Sequence, residues 1–147
     1  MTPRYNQPSP HPTQCLLPRG RILLVDEEEV DLKSFTALLR RMGFSVRAFL
    51  DYRQAEARLG SEHFDFVIVS QGSPDFETHR LVKLALAHNR HTPVVVLTRY
   101  MEMSCYLEAM QLGAADYLEK PLAPKEFERL VATHFQPQRG ELTACNA

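Results

Sequence analysis

Five short aliphatic runs alternate with longer segments of helical period, and that alternation leaves few folds open to this chain. Arg21-Ile-Leu-Leu-Val25 is a continuous apolar run, as expected of a strand buried on both faces of a parallel sheet. Asp31 to Met42 has Phe35, Leu38, Leu39 and Met42 at helical spacing, and Gly43 supplies a stop. Phe44 to Phe49 alternates more weakly, as an edge strand does. Asp51 can cap a short helix that ends at Gly60. A third strand over Phe64–Val69, a helix from Phe76 to Asn89 and a fourth strand over Pro93–Leu97 follow. The remainder reads as a helix over Met101–Leu112 stopped by Gly113, a strand over Ala115–Leu118 and a helix over Pro124–His134. In that last helix Phe127, Leu130 and Val131 form the inward stripe. Five βα units in about 115 residues imply a parallel sheet covered by helices on both faces.

Charge and composition narrow the function. Seventeen basic residues against 18 acidic ones leave a formal charge of -1, so there is no electrostatic case for direct binding of nucleic acid or an anionic membrane. No apolar run approaches the roughly 18–20 residues of a membrane span. Met1 to Gly20 lacks the apolar segment of a secretory signal. The cysteines at 15, 105 and 145 are odd in number and far apart, which suits reduced thiols and a cytoplasmic setting. No histidine, cysteine or acid grouping has zinc spacing. Five of the ten prolines fall in the first 18 residues, among Ser, Thr, Gln and Asn. Residues 1–19 are therefore expected to be a disordered arm, 20–135 the folded domain and 136–147 a disordered tail. An output domain of ordinary size does not fit in 147 residues, so any downstream effect is expected to pass through another polypeptide unless this chain is a fragment.

In open α/β sheets, ligands bind beyond the carboxyl ends of the strands. Those positions hold Asp26 and Glu27 after the first strand, Ser70 after the third, Thr98 after the fourth and Lys120 after the fifth. The first strand is followed by Asp-Glu-Glu-Glu, carboxylates where a phosphate-cradling loop needs bare glycine amides, so a dinucleotide site is excluded. Any one of these residues alone has a plain structural role, an acid at a helix N-terminus or a hydroxyl capping a strand end. Two acids, two hydroxyls and a lysine at equivalent positions point instead to one cleft.

Four segments carry a resemblance: Ile22-Leu-Leu-Val-Asp-Glu-Glu28, Phe64-Asp-Phe-Val-Ile-Val-Ser-Gln-Gly-Ser-Pro74, Pro93-Val-Val-Val-Leu-Thr98 and Gly113-Ala-Ala-Asp-Tyr-Leu-Glu-Lys-Pro-Leu122. In this order, with Lys120-Pro121 placed 22 residues after Thr98, they resemble a response-regulator receiver domain of two-component signalling over about residues 20–135. The resemblance implies a flavodoxin-like, doubly wound (βα)5 three-layer sandwich with sheet order 2-1-3-4-5. It also implies a pocket in which Asp26, Glu27 and Gly72 help bind Mg²⁺, Thr98 and Lys120 contact a phosphoryl group, and Tyr117 reports the state by its rotamer.

The family's phosphoacceptor aspartate is replaced by Ser70. Asp65 stands at the start of the strand and would lie at the wrong end of the sheet, and Asp75 sits beyond Pro74. A hydroxyl must lose a proton before it attacks, and no histidine base lies nearby in sequence. The pocket also loses a metal ligand, so no cofactor or at most weak Mg²⁺ is expected. Arg99, where receivers usually carry a small residue, either points to solvent or folds over the cleft as a lid onto Asp26 or Glu27. The chain thus reads as a non-enzymatic, phosphorylation-independent interaction module, a pseudo-receiver. The alternatives are a phosphorelay receiver that still accepts at Ser70 or a neighbouring acid, and a sensor that binds an anion or another small ligand in the same cleft.

Its partner is expected to be a histidine kinase, an output protein or a second copy, held on the face of the fourth helix, fifth strand and fifth helix. Met101, Met103, Tyr106, Leu107 and Met110 wrap most of the Met101–Leu112 helix in apolar surface, and Phe127 from the last helix is assigned to the same face. The competing reading of that helix is a deeply covered core element.

Overall fold

The computed structural model describes residues 18–71 and 78–135. Five strands, β1 (Arg21–Asp26), β2 (Ser45–Phe49), β3 (Phe66–Gln71), β4 (Val94–Thr98) and β5 (Asp116–Glu119), form one parallel sheet in the order β2-β1-β3-β4-β5. The helices are α1 (Glu29–Arg41), α2 (Tyr52–Leu59), α3 (Thr78–His88), α4 (Met103–Leu112) and α5 (Pro124–His134). This is the (βα)5 architecture and strand order that the resemblance implied.

Alternation along the strands feeds two separate cores. Ile22, Leu24, Phe66, Ile68, Val95 and Leu97 meet Phe35, Leu38 and Leu39 of α1 and Phe127, Leu130 and Val131 of α5. Leu23, Val25, Val67, Val69, Val94 and Val96 meet Ala55 and Leu59 of α2, Leu81, Val82 and Ala85 of α3, and Ala109 of α4. Because β1, β3 and β4 are covered on both faces, Ile22–Val25, Phe66–Val69 and Val94–Leu97 are apolar without a break. In β2 only Val46 is fully buried and Arg47 is exposed, as suits an edge.

Local chemistry sets the ends of the elements. The Asp51 carboxylate accepts a hydrogen bond from the Arg53 amide at 3.0 Å and caps α2 as expected. Gly113 closes α4 in the left-handed region, φ 112°, where a side chain would be strained. Ahead of α5, the Glu126 carboxylate accepts from the Ala123 amide at 2.9 Å. Most strand and helix ends move by one or two residues from the sequence reading, and three of these shifts bear on the site. α1 begins at Glu29, two residues before Asp31, because Asp26 Oδ1 accepts the Glu28 amide at 2.9 Å and turns the chain at once. α4 begins at Met103, two residues after Met101. β3 runs through Ser70 and Gln71, which pair with Leu97 and Thr98 of β4. Arg19, assigned to the arm, is held by the domain: its amide donates to Gly43 O and its guanidinium lies 4.7 Å from the Phe44 ring centroid. The rest of the arm, residues 1–17, and the tail, 136–147, lie outside the described residues, as do Gly72 and Asp75.

Candidate functional site

The carboxyl ends of the strands bring the pocket together. Asp26 is the last residue of β1 and lies opposite Ser70 of β3. Thr98 ends β4, and the Lys120 amide, one residue past β5, donates to Thr98 O at 2.7 Å. Asp26, Ser70 and Thr98 are wholly buried, and Lys120 is nearly so.

Lys120 reaches from β5 across to β1 and α1. Its Nζ lies 3.3 and 3.4 Å from the two oxygens of Asp26, 2.8 Å from Glu28 Oε1 and 2.8 Å from Asp31 Oδ2. Burial works against its charge, but hydrogen bonds to Asp31 and Glu28 and the charge of Asp26 outweigh it, leaving the ammonium above its ordinary pKa. Burial pushes the Asp26 carboxyl up, against the Glu28 amide, the Ser70 hydroxyl and Lys120. Ser70 lies near enough to Asp26 to lower its pKa, yet among the described residues its buried Oγ completes no hydrogen bond.

Arg99 extends the network. Its Nε donates to both oxygens of Glu28 at 2.8 and 2.7 Å, and one terminal nitrogen lies 3.1 Å from Asp31 Oδ2. The Arg99 hydrogen bonds hold Glu28 at about 2, despite partial burial and with help from Lys120. Arg99 is therefore folded over the acids and not turned to solvent, but its partners are Glu28 and Asp31 where Asp26 or Glu27 was expected.

The acidic group is also revised. Among the described residues the carboxylates close enough to share one cation are Asp26, Glu28 and Asp31, with ligand atoms all within 4.8 Å. Glu27, paired with Asp26 in the sequence reading, is outside this group. Glu28 and Asp31 were missed although the sequence holds a signal, since residues three apart at a helix start face the same way. Two side-chain cations against three carboxylates leave one net negative charge.

On the β4–β5 side, the Thr98 hydroxyl accepts the Tyr100 amide at 2.9 Å. Tyr117 is buried, and burial raises its phenol pKa, opposed in part by the Thr98 hydroxyl beside it. Tyr106 of α4 packs edge-on against Tyr117, ring centroids 5.8 Å apart. Tyr106 and Met110 are thus partly buried against the core and are not free surface.

Phe127 requires a full correction. It is completely buried and stacks on Phe35 at 4.3 Å, so it belongs to the α1–α5 core and offers nothing to a partner. Met101, Met103 and Leu107 are exposed, Met103 by 69%, and Tyr100 joins them. Only Ala109 of α4 is fully buried, which overturns the reading of that helix as a core element. Among the described residues, no helix is long and apolar enough to cross a membrane.

The family model for the response regulator receiver domain matches residues 22–132. The chain is similar to regulatory protein AtoC of Escherichia coli K12, 29% identical over 119 residues, 81% of this chain and 26% of that protein. It is similar also to the alginate biosynthesis transcriptional regulatory protein AlgB of Pseudomonas aeruginosa, 31% identical over 126 residues, 86% of this chain and 28% of that one. The chain therefore spans about a quarter of the length of these curated relatives. Among solved structures it resembles a CheY-like receiver domain protein from Methanospirillum hungatei JF-1, with TM-score 0.72 and 23% identity over 77% of this chain and 90% of that one. A response regulator from Burkholderia pseudomallei with a phosphorylated aspartic acid, calcium ion and citrate matches with TM-score 0.68 and 25% identity, over 86% of this chain and 72% of that one.

Proposed function

Since this chain belongs to the response regulator receiver domain family, we propose that it is an interaction module of two-component signalling whose state is set without phosphoryl transfer. The observation that carries this reading is the engagement of Lys120. All three of its protons have carboxylate partners, on Asp26, Glu28 and Asp31, so the lysine is already committed. Ser70 takes the acceptor position by its place in β3 opposite Asp26. Its hydroxyl is a weak nucleophile, and the carboxylate opposite it, Asp26, is already held by Lys120 and the Glu28 amide. On this reading the protein is not an enzyme, works in the cytoplasm and needs no metal. A net negative pocket also counts against an anion sensor.

Treating the chain with acetyl phosphate and Mg²⁺ is the direct test. We expect no phosphoryl adduct by intact mass and no beryllofluoride-induced change at the amides of Ser70, Thr98 and Lys120. An adduct mapped to Ser70 or a neighbouring acid would establish the phosphorelay alternative.

The partner surface is the α4–β5–α5 face, and its partner is a histidine kinase, an output protein or a second copy. Tyr100, Met101, Met103 and Leu107 supply exposed apolar area of the kind that marks interaction sites. Met103→Glu with Leu107→Glu is expected to abolish self-association in sedimentation equilibrium while moving the thermal midpoint by no more than about 3 °C, since both side chains are surface groups. Unchanged association, or a large fall in midpoint, would refute the assignment. Tyr106 is left intact because it packs on Tyr117.

A further inference from the structure

The receiver resemblance implies a divalent cation in this pocket, and the side chains present do not suit one. Magnesium demands near-octahedral oxygen ligands and keeps several waters. Here Glu28 gives both carboxylate oxygens to Arg99 Nε, and one of them also accepts from Lys120. Asp31 Oδ2 is shared between Arg99 and Lys120, and Asp26 faces Lys120 and the Glu28 amide. From β3 the pocket receives the neutral, unpartnered Ser70 hydroxyl in place of a charged ligand.

We infer that the Arg99 guanidinium is the pocket's own cation, occupying through Glu28 and Asp31 the role a divalent ion would fill. Charge supports the assignment. Three carboxylates with Lys120 and Arg99 carry one net negative charge, and adding a divalent ion would reverse that sign. Expelling Arg99 first would leave two negative charges, which the ion balances. A metal therefore enters only by displacing Arg99. The arginine is held at the rim, its side chain 38% exposed, so it is the cation that can leave, whereas the Lys120 side chain is wholly enclosed.

Displacement has a route outward. Arg99 directly precedes the exposed pair Tyr100 and Met101, and its amide donates to Gln71 O at 3.3 Å. The guanidinium thus latches the segment leading into α4 onto α1. This inference rests on the proposed reading of the pocket as one that takes no phosphoryl group. Its test uses no phosphodonor, so the two fail separately.

The test is Mn²⁺ binding to the full chain, followed by the electron paramagnetic resonance signal of free ion, for wild type, Arg99→Ala and Arg99→Ala with Asp31→Asn. Arg99→Ala is expected to bind Mn²⁺ about tenfold or more tightly than the wild type. The added Asp31→Asn should remove the gained site. Equal affinity in wild type and Arg99→Ala, or a gain that survives Asp31→Asn, overturns the inference. Should Arg99→Ala not fold, the wild type alone decides: its Arg99 Nε–H resonance stays unchanged through a Mg²⁺ titration if the arginine holds the site, and shifts saturably if it does not.

Discussion

Lys120→Met lowers the unfolding free energy by about 3–5 kcal/mol at neutral pH, read from urea denaturation. Methionine keeps most of the buried stem and removes the charge, so the loss reports the ammonium alone. Without it, Asp26 is a carboxylate with no exposure that keeps the Glu28 amide and the neutral Ser70 hydroxyl beside it but has lost its buried counter-charge. The pH dependence has a definite sign. Asp26 already has a folded pKa above its ordinary value because of burial, so the folded variant takes up a proton there more readily than the unfolded chain does. The deficit of Lys120→Met accordingly narrows as pH falls through the folded pKa of Asp26 and is largest above it. Asp26→Asn in the same background should recover part of the loss, because it removes the unpaired charge. A loss below about 1 kcal/mol would mean that the pocket is solvated like a surface ion pair.

Phe127→Ala is expected to cost about 3–5 kcal/mol, the range for deleting a fully buried aromatic ring. Phe127 has no exposed surface and stacks nearly parallel on Phe35, with 14° between the planes. Its removal opens a void between α1 and α5, two helices that share one core with Ile22, Leu24 and Ile68. The same measurement separates this role from the surface role that the sequence assigned to it. A partner contact on the exterior would leave stability within about 0.5 kcal/mol and change association. Here unfolding shifts and self-association does not, provided Met103 and Leu107 are intact.

Much of the sheet was legible from residues 21–98 because β1, β3 and β4 are buried on both faces and their apolar runs have one interpretation. Strand ends were harder to place. Ser70 and Gln71 are polar, and their pairing with Leu97 and Thr98 of β4, with Ser70 also opposite Asp26 of β1, keeps them in β3. Asp26, Thr98 and Lys120 were found because strand ends in such sheets converge whatever the loops do. Glu28 and Asp31 were not, since their direction depends on the turn made when Asp26 accepts the Glu28 amide. That bond starts α1 early and swings both acids over Lys120 and Arg99. For Arg99 the sequence left two readings open, solvent or a fold over the cleft; the choice between them, and the carboxylates it meets, followed from the same turn. Phe127 shows the opposite limit: its spacing with Leu130 and Val131 marked the core stripe, and assigning it to a partner face on family geometry overrode a correct local signal.

Helix α4 is anchored by one fully buried residue, Ala109, with Cys105, Tyr106, Met110 and Leu112 only partly covered. Segments with so little burial open locally at a small fraction of the free energy needed to unfold the whole domain. Any molecule that covers Met103 and Leu107 therefore shifts two equilibria at once, its own association and the helix's order. By linkage, whatever frays α4 weakens that association by the same factor. A ligand on that surface and the order of α4 would thus share one coupling free energy, readable from either side.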